Sequence, residues 1–214
     1  MIPGNPPPKP PLPPRYNWAE VWTAALTRPS VPTYTELLND PAAKPRRAYA
    51  WIYLAALATT FALSYALFSD PSLMAALSAT PELDGADIQG ALLPSLLCVV
   101  PFASAFAVLI FIALIFLMQV VAGLMDPSPD KSQTMGRFPQ LAYLMGAILA
   151  PLNLLSVLFV LLPALGILSL AVTIYQFFLM WQIIRAVYDF DPPRTAVILA
   201  VFVAGTLLLS GFFL

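Results

Sequence analysis

Residues 138–184 read FPQLAYLMGAILAPLNLLSVLFVLLPALGILSLAVTIYQFFLMWQII, an interval without a charged side chain, bracketed by Arg137 and Arg185. A helix rises about 1.5 Å per residue and needs roughly 20 apolar residues to cross about 30 Å of hydrocarbon, so this interval holds two crossings if it turns near its middle. Leu162-Pro163-Ala164-Leu165-Gly166 supplies that turn chemistry. The reading is a pair of spans, about 138–161 and 165–184, with Pro139 near the first turn of the earlier one and Pro151 inside it.

The same logic, with charges marking the ends, extends outward. Arg47 and Asp70 bracket a span at about 48–69, whose Trp51, Tyr53 and Phe68 lie toward its ends, where aromatic rings favour the interface. Asp87 and Asp126 bracket an interval too long for one upright crossing and too short for two with a turn; it predicts one long tilted helix at about 92–122, kinked at Pro101. A final uncharged run, 195–214, is the fifth span. The expected fold is an all-α polytopic membrane protein: a bundle of five transmembrane helices preceded by short amphipathic helices.

Composition agrees, since 60% of the 214 residues are hydrophobic and 10% charged, far from soluble values. One helical bundle fills most of this length, leaving no room for a separate catalytic domain. Six of the ten Lys and Arg fall in the first 47 residues, too polar and proline-rich to cross, and the positive-inside rule places them in the cytoplasm. Lys131, Arg137, Arg185 and Arg194 then fall in cytoplasmic loops, whereas the loop between the first two spans holds Asp70, Glu82, Asp84 and Asp87 and no base. The C-terminus is expected on the opposite side. Met1-Ile2-Pro3-Gly4 and the proline tract after it do not form a cleavable signal, so the first span is expected to target the chain.

Eight of the first 14 residues are proline, which predicts a disordered polyproline tail over residues 1–15. Pro10, Pro13 and Arg15 fit a PxxPxR pattern that docks in aromatic-lined grooves; the same spacing also arises in a plain proline-dense spacer. Residues 16–47 are expected to be interfacial. Trp18, Val21, Trp22, Ala25 and Leu26 recur at helical spacing behind an Asn17 cap, so Trp18 and Trp22 either lie on the cytoplasmic leaflet or pack on the ends of the bundle. A second short helix is expected at 33–38, with Thr33 as N-cap and Glu36 completing a capping box. Lys44, Arg46 and Arg47 form a basic cluster at the headgroups, with some attraction for anionic lipid.

Chemistry-bearing residues are sparse. The chain has no histidine, which removes the commonest general base and metal or haem ligand. Cys98 is the only cysteine, lies in an apolar run, and excludes an intramolecular disulfide or a thiolate metal site. No cofactor and no catalytic residue are expected, and scattered bases at a net charge of -1 argue against nucleic acid. The expected spans contain no Asp, Glu, Lys or Arg, against a pump or ion-coupled transporter. Gln119, Asn153, Gln176 and Gln182 are the candidate polar intramembrane residues, as interhelical hydrogen bonders or as a solute site. Ala142, Gly146 and Ala150, four apart and just before Pro151, mark the third span as the central packing helix, with Tyr143 beside them.

The run Phe138 to Pro151, the Leu-rich turn at Pro163 and Gly166, Tyr175, and Ile183-Ile184-Arg185-Ala186-Val187-Tyr188 together resemble the Yip (Ypt/Rab-interacting protein) domain family in its prokaryotic branch. Thr27-Arg28-Pro29-Ser30 and Thr33-Tyr34-Thr35-Glu36-Leu37-Leu38 are similar to the amphipathic lead-in of such proteins. The resemblance covers about 18–214 and implies five spans with a cytoplasmic N-terminus. Eukaryotic members bind prenylated Rab GTPases, but their Asp-Leu-Tyr-Gly-Pro type string is missing here, so Rab binding is not implied. The loop 123–137 has Asp126-Pro127-Ser128-Pro129-Asp130 in place of the glycine-rich run frequent in prokaryotic relatives. Three functions follow as expectations: a non-enzymatic scaffold or adaptor in a bacterial cytoplasmic membrane, with lipid around it, protein partners at its tail and possible oligomers; a small transporter or channel for lipid or a neutral solute; or an accessory subunit of a larger membrane complex.

Overall fold

A computed structural model describes residues 16–69, 85–126, 136–162 and 165–211. Among the described residues the chain is helical: α1 (Trp18–Thr27), α2 (Val31–Leu38), α3 (Pro45–Phe68), α4 (Gly85–Met125), α5 (Phe138–Leu161), α6 (Gly166–Tyr188) and α7 (Pro192–Gly211). Four stretches, Pro45–Ala66, Leu97–Met125, Phe138–Phe159 and Gly166–Tyr188, are long and apolar enough to cross a membrane, and Pro192–Leu208 is a shorter apolar helix. The proline-rich tail and the expected turn at Pro163 and Ala164 lie outside the described residues.

Helix starts follow local chemistry. Asn17 caps α1 in a complete capping box: its side chain accepts the Glu20 N–H at 2.9 Å, and the Glu20 carboxylate accepts the Asn17 N–H at 2.7 Å. In α2 the cap is Ser30, not Thr33. The Ser30 hydroxyl accepts the Thr33 N–H at 3.3 Å, and Pro32 takes the second helical position, where a missing N–H costs nothing. The cap is thereby three residues earlier than expected, and the Glu36 carboxylate accepts the Tyr16 hydroxyl instead of completing a box with Thr33. The second span also outgrows its expected limits of about 92–122. Its helix runs Gly85–Met125, through Pro101, and at roughly 60 Å exceeds the hydrocarbon thickness. The last helix starts at Pro192, three residues before the expected span.

The spans alternate in direction. Trp51 meets Tyr143 and Thr59 Oγ1 donates to the Asn153 carbonyl at 3.3 Å, so α3 and α5 run parallel; Arg137 at the start of α5 meets Val187 at the end of α6, so these run antiparallel. The Tyr188 hydroxyl on Gln119 puts the last turns of α4 beside the end of α6, so α4 runs antiparallel to α3 and α5. The starts of α3, α5 and α7 and the ends of α4 and α6 therefore share one end of the bundle, and α1 and α2 dock there. Every described Lys and Arg (Arg28, Lys44, Arg46, Arg47, Arg137, Arg185 and Arg194) belongs to that end.

The core is concentrated there too. Every residue from Leu141 to Ala150 is buried, because this half of α5 is ringed by α1, α2, α3, α4 and α6. In α6 the buried residues are Leu179, Met180, Ile183, Ile184, Val187 and Tyr188, all in the half nearest the docked hairpin. Toward the other end Phe102, Phe61, Leu158, Ile167 and Leu170 are exposed, as suits helices that face lipid instead of one another.

Candidate functional site

The docked hairpin begins as an ordinary amphipathic pair. Val21 and Ala25 of α1 and Tyr34 and Leu37 of α2 bury the faces that helical spacing aligns. The Tyr34 hydroxyl donates to the Ala25 carbonyl at 3.0 Å, and the Tyr16 hydroxyl donates to Glu36 at 2.5 Å, closing the hairpin from both ends. That carboxylate raises the Tyr16 phenol above its usual range, and burial raises the Tyr34 phenol. The hairpin is tied to the bundle by the Tyr175 hydroxyl, which donates to the Leu26 carbonyl.

Three tryptophans join hairpin to span. The Trp18 and Trp22 rings lie 6.5 Å apart, and both meet Trp51 of α3 edge-on, at 6.0 and 5.9 Å. Trp51 in turn lies 5.5 Å from Tyr143 of α5. Such edge-to-face pairs contribute roughly 0.5–1.5 kcal/mol each beyond the area they bury. The indole N–H groups of Trp22 and Trp51 are buried with no hydrogen-bond partner among the described residues, so the rings themselves hold one another by packing. Of the two placements open to Trp18 and Trp22, the structure shows packing on the bundle, with Trp18 still 42% exposed at the rim.

Arg47 binds the junction together. One guanidinium nitrogen donates to Asp40 Oδ2 at 3.2 Å, the other donates to the Tyr16 carbonyl at 2.8 Å, and the group lies 5.2 Å from the centre of the Trp51 ring. The Asp40 side chain is fully buried and also accepts the Ala42 N–H at 2.9 Å. Beside this cluster lies an open cleft of about 530 Å³ lined by Trp18, Pro41, Ala42, Lys44, Arg46, Arg47 and Ala50. Asp40 is the residue that sequence reasoning missed. Its only signal was its place seven residues before Arg47, across a proline.

A second polar cluster ties the other spans at the same end. Arg137 donates to the Val187 carbonyl at 2.6 Å, the Tyr188 hydroxyl donates to Gln119 Oε1, and Arg194 lies 6.0 Å from the Phe190 ring, which stacks on Tyr188. Asp189 ends α6 in the left-handed region at φ 55°, turning the chain into α7.

The candidate polar residues are dispersed. Gln119 is buried against Tyr188, Asn153 is exposed in the half of α5 away from the hairpin, Gln176 is half-buried, and Gln182 lines an apolar groove with Phe177, Phe178, Trp181 and Leu199. Ala142, Tyr143, Gly146 and Ala150 are buried on α5, and Pro151 is half-buried where that burial ends. Gly146 permits a close approach of α3: a Cβ there would fall 2.5 Å from the Ala48 Cβ and 2.9 Å from its Cα. Pro10, Pro13 and Arg15 lie outside the described residues.

These features define a polytopic helical membrane protein whose N-terminal helical hairpin is docked on the charged end of its bundle. The model of the Yip1 domain matches residues 24–214, nearly the whole chain, and the protein belongs to that family. No curated protein and no solved structure matches it.

Proposed function

We propose that this Yip1-domain protein is a non-enzymatic scaffold of a bacterial cytoplasmic membrane, with its N-terminus and charged end in the cytoplasm and its C-terminus opposite. One observation carries the reading: every described base belongs to the end where α1 and α2 are docked. A basic end is retained on the cytoplasmic side, and a hairpin fixed by Arg47, Tyr175 and Tyr34 is a firm platform there. The chain enters it at Tyr16, whose carbonyl Arg47 holds, so the proline-rich residues 1–15 attach at a rigid point. The resemblance to prokaryotic members supports the bacterial membrane, and Pro10, Pro13 and Arg15 supply a segment of the kind that aromatic-lined grooves recognise.

The test is co-purification after cross-linking in native membranes. The full-length protein is compared with a variant lacking residues 1–15 and with Ala19→Glu/Thr23→Glu on the exposed face of α1. Loss of the same partners in either variant is the expected result. An unchanged partner set in both would exclude the adaptor role.

A further inference from the structure

We propose that the cleft between α1, residues 41–44 and the first turn of α3 binds the phosphate of an anionic phospholipid headgroup. Three of its seven lining residues, Lys44, Arg46 and Arg47, are cationic and none is acidic. The neighbouring carboxylate, Asp40, is already committed to Arg47 and to the Ala42 N–H. Lys44 and Arg46 have no ion-pair partner among the described residues, so their charges are available to a ligand. Arg47 is held by Asp40, the Tyr16 carbonyl and the Trp51 ring, which orients its guanidinium before anything binds. α3 starts at Pro45, and the positive end of that 24-residue helix adds to the same field.

The position argues for lipid over a free anion. The cleft lies at the head of a membrane-spanning helix, where headgroups lie, and Trp18 stands at its rim with 42% of its surface exposed, as an interfacial indole does. Below Arg46 and Ala50, the same face of α3 continues through Leu54, Phe61 and Tyr65, at the spacing that aligns side chains along a helix. Leu54, Phe61 and Tyr65 are 46%, 59% and 61% exposed, so one helix face offers cations to a phosphate and then an apolar track to its acyl chains. Basic pockets on this side of membrane proteins recognise anionic headgroups by the same chemistry.

Native mass spectrometry of the delipidated full-length protein tests this with phosphatidylglycerol, phosphatidylcholine and inorganic phosphate as probes. The expected result is retention of phosphatidylglycerol over phosphatidylcholine, with Lys44→Gln/Arg46→Gln weakening it about tenfold. Arg28→Gln/Arg185→Gln, which removes the same charge away from the cleft, should leave it within about twofold. Both altered pairs are exposed side chains, so the fold persists, as unchanged thermal unfolding will verify. Three results overturn the proposal: equal retention of the two lipids, equal loss in the two double variants, or displacement of phosphatidylglycerol by inorganic phosphate, which would make the cleft a free-anion site.

Discussion

Gly146 of α5 packs directly on Ala48 of α3, and the contact leaves no space for a methyl group, because the nearest atoms include the Ala48 backbone. Gly146→Ala should therefore destabilise the bundle by about 1–3 kcal/mol despite its better helix propensity, and Ala48→Gly should restore part of the loss. Gly166, with nothing near its missing Cβ, is the control: Gly166→Ala should be neutral or mildly stabilising in the same thermal unfolding measurement. Arg47 and Asp40 behave differently, because their energy lies in the pairing. The Asp40 side chain is fully buried, so Arg47→Met strands a carboxylate and should cost roughly 3 kcal/mol, more than the loss of any exposed arginine in this chain. Tyr34 carries a pH signature. Burial raises its phenol above the usual 10.0, so the stability it contributes is complete below pH 10.0 and is lost as pH rises beyond that. Tyr34→Phe should cost about 1 kcal/mol near neutral pH and flatten this alkaline loss, read as the difference between the two pH–stability curves.

Among the elements, the hairpin depends on its caps. Asn17→Ala removes the side-chain acceptor of the Glu20 N–H, leaving only the backbone half of the α1 capping box, and should cost about 1 kcal/mol, with earlier proteolysis between α1 and α2 and a red shift of tryptophan emission as Trp18 and Trp22 leave Trp51. The Asn17 cap was legible because side-chain capping is local and leaves a three-residue signature. The start of α2 was misread for a related reason: Ser30 and Thr33 both suit a cap, and Pro32 favours the earlier one only if it occupies the second helical position. Charges bracket spans and not helices: α5 begins directly after Arg137, but α3 starts before Arg47, α6 continues past Arg185 and α7 starts before Arg194. α4 extends furthest beyond its expected limits, because a helix does not end at the membrane boundary and its backbone bonds continue through Gly85–Ala91.

At the scale of the whole molecule, apolar length and charge placement made the all-helical membrane class and the alternation of its helices legible without coordinates; four of the five expected spans are long and apolar enough to cross, and the fifth is a shorter apolar helix. The candidate site was only half legible. Trp18, Trp22, Arg47 and Trp51 each stood out, but their meeting is tertiary, and Asp40, which fixes Arg47, carried no periodic or motif signal. Nothing in helical spacing told whether the tryptophan face would meet lipid or protein. The proposed function places the end that carries every described base in the cytoplasm, an odd number of crossings from the C-terminus. Single-cysteine labelling tests it most directly: in a Cys98→Ser background, Ser132→Cys falls in the sequence between α4 and α5 and Ser78→Cys in the sequence between α3 and α4. A membrane-impermeant maleimide should label Ser78→Cys in intact cells and Ser132→Cys only after the membrane is opened; labelling of both from the same side would contradict the account.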